Sequence, residues 1–109
     1  MSSRRSTVGS AGEEIAARFL ERRGVIVVDR NVRVGRDEID LLVRDGQVLV
    51  AVEVKTGAGR DSRPWENFDD LKRARVRRAA GALGIHRVDL VAVQVHRGGA
   101  TVRWLPATD

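Results

Sequence analysis

The chain contains no cysteine in its 109 residues, which excludes disulfides and thiolate-bound zinc. Histidine is almost as scarce, and His86 and His96 alone cannot make a zinc site. No apolar run approaches the roughly 20 residues needed to cross a bilayer. The opening Met1-Ser2-Ser3-Arg4-Arg5-Ser6 lacks the hydrophobic region of a secretory signal. These absences point to a cytoplasmic protein with no membrane partner. Internal repeats and low-complexity tracts are missing too. Positive charge is plentiful: 20 Lys and Arg against 15 Asp and Glu give a net charge of +5 and a pI near 11.1. Such a balance favours a polyanionic partner.

A chain of this length makes one domain with a single modest core. Residues 1–8 read as a flexible polar tail and 9–109 as the domain. Ile15, Ala16, Phe19 and Leu20 recur at helical spacing, which predicts a helix over 10–23 with Ser10 as N-cap and Gly24 as its stop. A short apolar strand, Val25–Asp29, follows, then a polar link, Arg30-Asn31. Residues 56–65 read as a glycine-bearing basic loop, and a second helix is expected from about Glu66 to Leu83, ending at Gly84. Val88–Val95 is apolar on both faces, as an interior strand is. Arg97-Gly98-Gly99 turns it into a last strand, Thr101–Leu105. The order predicts an α/β or α+β arrangement of helices against a mixed sheet.

Charge intrudes where the chain is most strand-like. Residues 37–44 and 47–55 are rich in Val, Ile and Leu and flank Asp45-Gly46, a strong hairpin signal. A two-residue turn there would set Arg44 against Gln47, Leu42 against Leu49, Asp40 against Ala51 and Glu38 against Glu53. Alternation then puts Ile39, Leu41, Val43, Val48, Val50, Val52 and Val54 on one apolar face, and Glu38, Asp40, Glu53 and Lys55 on the other. Asp40 and Glu53 become diagonal neighbours with Cβ atoms roughly 7 Å apart, a span that one cation can bridge. Charged groups interrupting apolar strands carry a desolvation cost, so they mark a candidate site. A solvated face with a Glu53–Lys55 ion pair is the simpler alternative.

The helices add to this cluster. The apolar stripe of the first lies opposite Glu14, which can pair with Arg18 one turn on, while Glu13 leans toward the sheet. On the second helix, Phe68, Leu71, Val76, Ala79, Ala80 and Leu83 make the expected apolar face, with Lys72 near its middle and Arg75 close by. Arg73, Arg77 and Arg78 point to solvent or the flank. With Arg60 and Arg63 of the loop, these arginines form a basic surface suited to backbone phosphates.

Taken in order, Gly9-x-x-Gly12-Glu13-x-x-Ala16, Arg30-Asn31, Glu38-Ile39-Asp40-Leu41, Val52-Glu53-Val54-Lys55-Thr56, Lys72-x-x-Arg75-Val76 and Arg87-Val88-Asp89-Leu90-Val91 resemble the successive motifs of the bacterial YraN family. That family is placed in the restriction-endonuclease-like PD-(D/E)XK superfamily, near archaeal Holliday-junction resolvases. The resemblance implies a mixed four- or five-stranded sheet flanked by helices, with the active site at one edge. It implies Asp40 and Glu53 as metal ligands, Lys55 as the catalytic lysine and Glu13 as the helix-one acid of the resolvase branch. It also implies a homodimer. Two positions depart from the pattern: Asp37 replaces a usual glycine, and Gly57 replaces a common arginine.

The expected activity is Mg²⁺- or Mn²⁺-dependent hydrolysis of a nucleic-acid phosphodiester, on DNA ahead of RNA. Asp40, Glu53 and the Val54 carbonyl, with Glu13, would hold the cation. Lys55 would orient the nucleophile or stabilise growing negative charge. Glu38 is an accessory acid in this reading. The rival is a non-catalytic module that docks nucleic acid through Arg60, Arg63, Lys72, Arg75 and Arg78. A weaker third is a structural partner recognised along the sheet edge near Thr101–Leu105.

Overall fold

The computed structural model describes residues 7–59, 61–64 and 70–106. Helix α1 (Thr7–Arg22) leads into strands β1 (Ile26–Val34), β2 (Asp37–Asp45) and β3 (Val48–Ala58). Helix α2 (Asp70–Ala82) then crosses to β4 (Arg87–His96) and β5 (Gly99–Leu105). The strands form one sheet in chain order, β1-β2-β3-β4-β5. Every neighbouring pair is antiparallel except β3 and β4, which run parallel. Only that pair needs a long crossover, and α2 lies within it. The result is the mixed five-stranded sheet flanked by helices that the resemblance implied.

Both helices stop by the same device. Gly24 and Gly84 sit at φ +84° and +75°, a region open to glycine. After α1, the Gly24 N–H bonds to Glu21 O and the Val25 N–H to Leu20 O, and buried Val25 packs in the same cluster as Leu20. After α2, Gly84 bonds to Gly81 O and Ile85 to Ala80 O, with Ile85 and Ala80 buried together. This is the Schellman arrangement, in which two otherwise orphaned carbonyls are satisfied and a hydrophobic contact closes the cap. The first helix starts earlier than expected. Thr7 opens it, so Ser10 is inside the helix and is not its N-cap.

The core is split by the sheet. On one side Ala16, Ala17 and Leu20 of α1 pack on Leu41, Val43, Val50, Val52, Val54, Val91 and Val93. On the other, Val76, Ala79 and Ala80 of α2 pack on Ile39, Ala51, Val88 and Leu90. The interior strand β4 feeds both, as its two apolar faces require. Three expectations for α2 change here. Leu71 and Leu83 are exposed, so small residues carry its core face, and Arg73 is half-buried instead of solvated. Phe68 and the proposed start near Glu66 lie outside the described residues.

The hairpin turn sits one residue further on than Asp45-Gly46 suggests. Asp45 pairs with Val48 across Gly46-Gln47, so Leu41 faces Val52 and Leu42 faces Ala51. The slip amounts to two residues in pairing, which preserves faces because side chains alternate with period two. Two face assignments nevertheless fail. Val48 is exposed, and Ile39 packs under α2 while Leu41 packs under α1. Ile39, Asp40 and Leu41 are buried in succession. β2 therefore changes face at Asp40. Opposite it stands Asn31, between the pairs Arg30↔Leu41 and Val32↔Ile39, at φ +53°. The supposed link Arg30-Asn31 belongs to β1, and Thr56-Gly57-Ala58 extends β3 instead of opening the loop.

Candidate active site

The break in alternation at Asp40 builds the centre of the site. Recorded pairing between β2 and β3 ends at Leu41↔Val52. Beyond it, Asp40 Oδ2 accepts a hydrogen bond from the Val54 N–H at 2.8 Å. A carboxylate has taken the place of a ladder partner, which explains how an acid only 8 % exposed is tolerated there. Val54 points its side chain into the α1-side core. Its neighbours Glu53 and Lys55 therefore emerge together on the α2 side.

Lys55 Nζ meets Glu53 Oε2 at 2.9 Å, with both side chains largely shielded. Burial alone would push the Lys55 ammonium below its usual pKa. The Glu53 carboxylate outweighs that, helped by the charge of Asp40, and holds the lysine above its ordinary value. Lys55 is thus a fixed cation at neutral pH. It lines a cavity of about 710 Å³ between α2 and the sheet. Glu53, Glu38, Lys72, Arg75 and Arg78 line the same cavity, joined by Arg36 and Asp37.

Several expected site residues thus converge: Glu38, Glu53, Lys55, Lys72, Arg75 and Arg78 share one space. Asp40 is not among the residues that line this cavity, although its charge is felt at Lys55. Glu13 does not line the cavity either. Its carboxylate accepts from Asn31 Nδ2 at 3.2 Å, on the residue that faces Asp40 across the β1–β2 pair. Arg63 is exposed and away from the cavity lining, and Arg60 lies outside the described residues. Arg78, read as a solvent-facing arginine, is paired: its Nε and Nη2 donate to the two oxygens of Asp37, both at 3.0 Å. That bond, with further help from Arg75 and Arg36, holds the Asp37 carboxyl below its usual pKa.

Sequence reasoning gave Arg36 and Asn31 no role in the site, and met Asp37 only as a departure from the family pattern. Asn31 carried a usable signal, since asparagine is one of the few non-glycine residues at home in the left-handed region. Nothing in the spacing of Arg36-Asp37 points to Arg78, 41 residues further along the chain. Among the described residues, no three of His, Cys, Asp and Glu stand close enough to cage a metal ion. The donor set still suits Mg²⁺, which binds one or two carboxylates and completes its shell with water and phosphate. Asp40, Glu53 and a backbone carbonyl are hard oxygen donors of that kind.

A family model described as "Uncharacterised protein family UPF0102" matches residues 12–93, a span holding this whole site. The UPF0102 protein of a Nocardioides species is 40 % identical over 107 residues, covering 90 % of this chain and 86 % of that one. That of Beutenbergia cavernae is 44 % identical over 105 residues, with 88 % and 89 % covered. That of Anaeromyxobacter dehalogenans is 41 % identical over 112 residues, with 94 % and 84 % covered. Pyrococcus furiosus SfsA, solved in complex with Ca²⁺, aligns with a TM-score of 0.39 at 16 % identity, over 90 % of this chain but under two thirds (62 %) of its own. That likeness is too loose to bear on function. With a family match across most of its length and relatives at these identities, the chain belongs to the UPF0102 family.

Proposed function

We propose that this protein is a metal-dependent nuclease that hydrolyses nucleic-acid phosphodiesters, acting on DNA ahead of RNA. The observation that carries the proposal is the shielded Glu53–Lys55 pair, which feels the charge of buried Asp40 and shares a cavity with Lys72, Arg75 and Arg78. Asp40, Glu53 and the Val54 carbonyl would hold Mg²⁺ or Mn²⁺. When bound, such an ion supplies Lewis acidity to a phosphoryl oxygen and lowers the pKa of water. Lys55 contributes a positive charge that needs no reorganisation where negative charge grows on the reacting phosphate. Glu53 orients that ammonium, and Asp40 is itself oriented by the Val54 amide. Lys72, Arg75 and Arg78 would hold backbone phosphates. Glu13 acts through Asn31 as a positioning residue at the β1–β2 pair, and Glu38 is an accessory acid on the cavity wall.

A non-catalytic nucleic-acid-binding module is the second reading, and one observation favours it: Glu53 is neutralised by Lys55 instead of facing Asp40 as an open ligand pair. A panel of linear, flapped and four-way DNA substrates, incubated with Mg²⁺ or Mn²⁺, separates the two. The wild-type protein should nick or cut at least one, and Lys55→Ala and Asp40→Asn should abolish cutting while keeping the circular-dichroism spectrum. Binding without any cutting at high enzyme concentration would leave the binding module as the better reading.

A further inference from the structure

Three guanidinium groups border a single carboxylate at the wall of the site cavity. Asp37 opens β2 directly after Gly35-Arg36, and Arg78 grips both its oxygens in a two-pronged pair. Arg36 and Arg75 line the same cavity beside it. The fork–fork arrangement is how an arginine holds a phosphate, whose oxygens are spaced much like those of a carboxylate. The Asp37 oxygens therefore stand where two phosphate oxygens would fit. The contact is also exchangeable. The Arg78 side chain is 63 % exposed, against 11 % for Asp37, so the guanidinium is open to an incoming anion from solvent and the pair is screened by salt.

We infer that Arg36, Arg75 and Arg78 form an anion subsite for a second backbone phosphate of the bound strand, and that Asp37 fills this subsite in the unbound protein as an internal competitor. The inference rests on the nucleic-acid reading above and adds a selectivity to it. A lone phosphate gains little by displacing Asp37, because one anion merely replaces another. A strand already held at Lys55 and Lys72 presents its next phosphate at high effective concentration and displaces the carboxylate readily. The subsite thus favours polynucleotide over free nucleotide.

The test is a double-mutant cycle read by fluorescence anisotropy with a fluorescein-labelled DNA oligonucleotide, in EDTA and across a range of NaCl. Asp37→Asn should tighten binding several-fold and steepen the plot of log K against log salt by about one unit, since one more arginine becomes available to phosphate. Arg78→Ala should weaken binding, and Asp37→Asn should add clearly less in the Arg78→Ala background, where only Arg36 and Arg75 remain to be freed. An equal gain in both backgrounds, or no gain in either, overturns the inference, because the aspartate would then act by diffuse repulsion or not at all. Should Asp37→Asn fail to fold by thermal melt, Asp37→Ser serves in its place. The Arg78 Nε–Hε resonance of the wild-type protein gives an independent reading: it should shift on saturation with the oligonucleotide, and an unmoved resonance is evidence against the subsite. Because EDTA removes cleavage from the measurement, a coupled cycle without nuclease activity leaves the subsite standing and removes only the catalytic reading.

Discussion

Asp40 shows how one side chain can serve both fold and chemistry. Its Oδ2 satisfies the Val54 amide where the ladder ends, so removing the carboxylate orphans a shielded N–H. Asp40→Ala should destabilise the protein by roughly 1–3 kcal/mol in urea unfolding, the usual cost of an unsatisfied buried donor. Asp40→Asn retains an acceptor and should stay close to wild type, which makes it the cleaner variant for testing activity. Equal losses for the two would show that the charge, not the hydrogen bond, matters to folding. Glu14 offers a pH test. Arg30 and Arg18 hold its carboxyl below the usual value of 4.5. A lowered folded-state pKa means that the contribution is present above pH 4.5 and disappears as pH falls through the folded-state value. Wild type should therefore melt slightly above Glu14→Gln at neutral pH, with the gap closing in acid. A gap that persists in strong acid would assign the effect to packing.

At the level of elements, the decisive contact is that of α1 with β3. A Cβ on Gly12 would lie 1.9 Å from Thr56 Oγ1 and 2.8 Å from Thr56 Cβ. The helix can approach the sheet this closely only because position 12 has no side chain. Gly12→Ala should cost roughly 1–3 kcal/mol, as overpacking does. It should also push back the turn that carries Glu13, weakening the hydrogen bond to Asn31. If Gly12→Ala melts at the wild-type temperature, the helix has more freedom to slide than this packing implies. The Glu14–Arg30 pair at 2.6 Å ties the same turn to β1, a link that spacing within the helix does not reveal.

Across the whole molecule, a buried carboxylate joins strands far apart in sequence. Asp89, 1 % exposed, accepts from Arg87 through both oxygens and from Trp104 Nε1 on β5. Arg87 reaches on to Asp45 at the end of β2. Asp89→Ala would leave the Trp104 indole N–H unpaired and Arg87 with Asp45 alone, and should cost roughly 1–3 kcal/mol. That is a large part of the roughly 5–15 kcal/mol typical of a small domain. A denaturant midpoint unchanged from wild type would show that water replaces these bonds at no cost. The proposed metal site makes a prediction at the same scale. Mg²⁺ or Mn²⁺ should raise the melting temperature by mass action, by the equivalent of about 2.7 kcal/mol at a hundredfold excess over Kd. Chelation should reverse the rise, and Asp40→Asn should lack it.

The sequence alone settled the parts governed by local physics. Glycines at 24 and 84 ended both helices, Val88–Val95 was an interior strand, and the shared face of Leu41, Val43, Val50, Val52 and Val54 survived a two-residue error in pairing because alternation preserves parity. The clustering of Glu53 and Lys55 followed from the same alternation. Tertiary structure decided what depends on surroundings that no local pattern encodes. Asp40 broke the alternation because its carboxylate replaced a ladder bond, which set Ile39 and Leu41 on opposite faces. Leu71 and Leu83 were left exposed because β2 and β4 meet α2 at its small residues, not its large ones. Arg78 found Asp37 across 41 residues of chain. Pairings of that kind arise only once the sheet has set its register, since sequence spacing limits which groups can meet but long-range packing selects the ones that do.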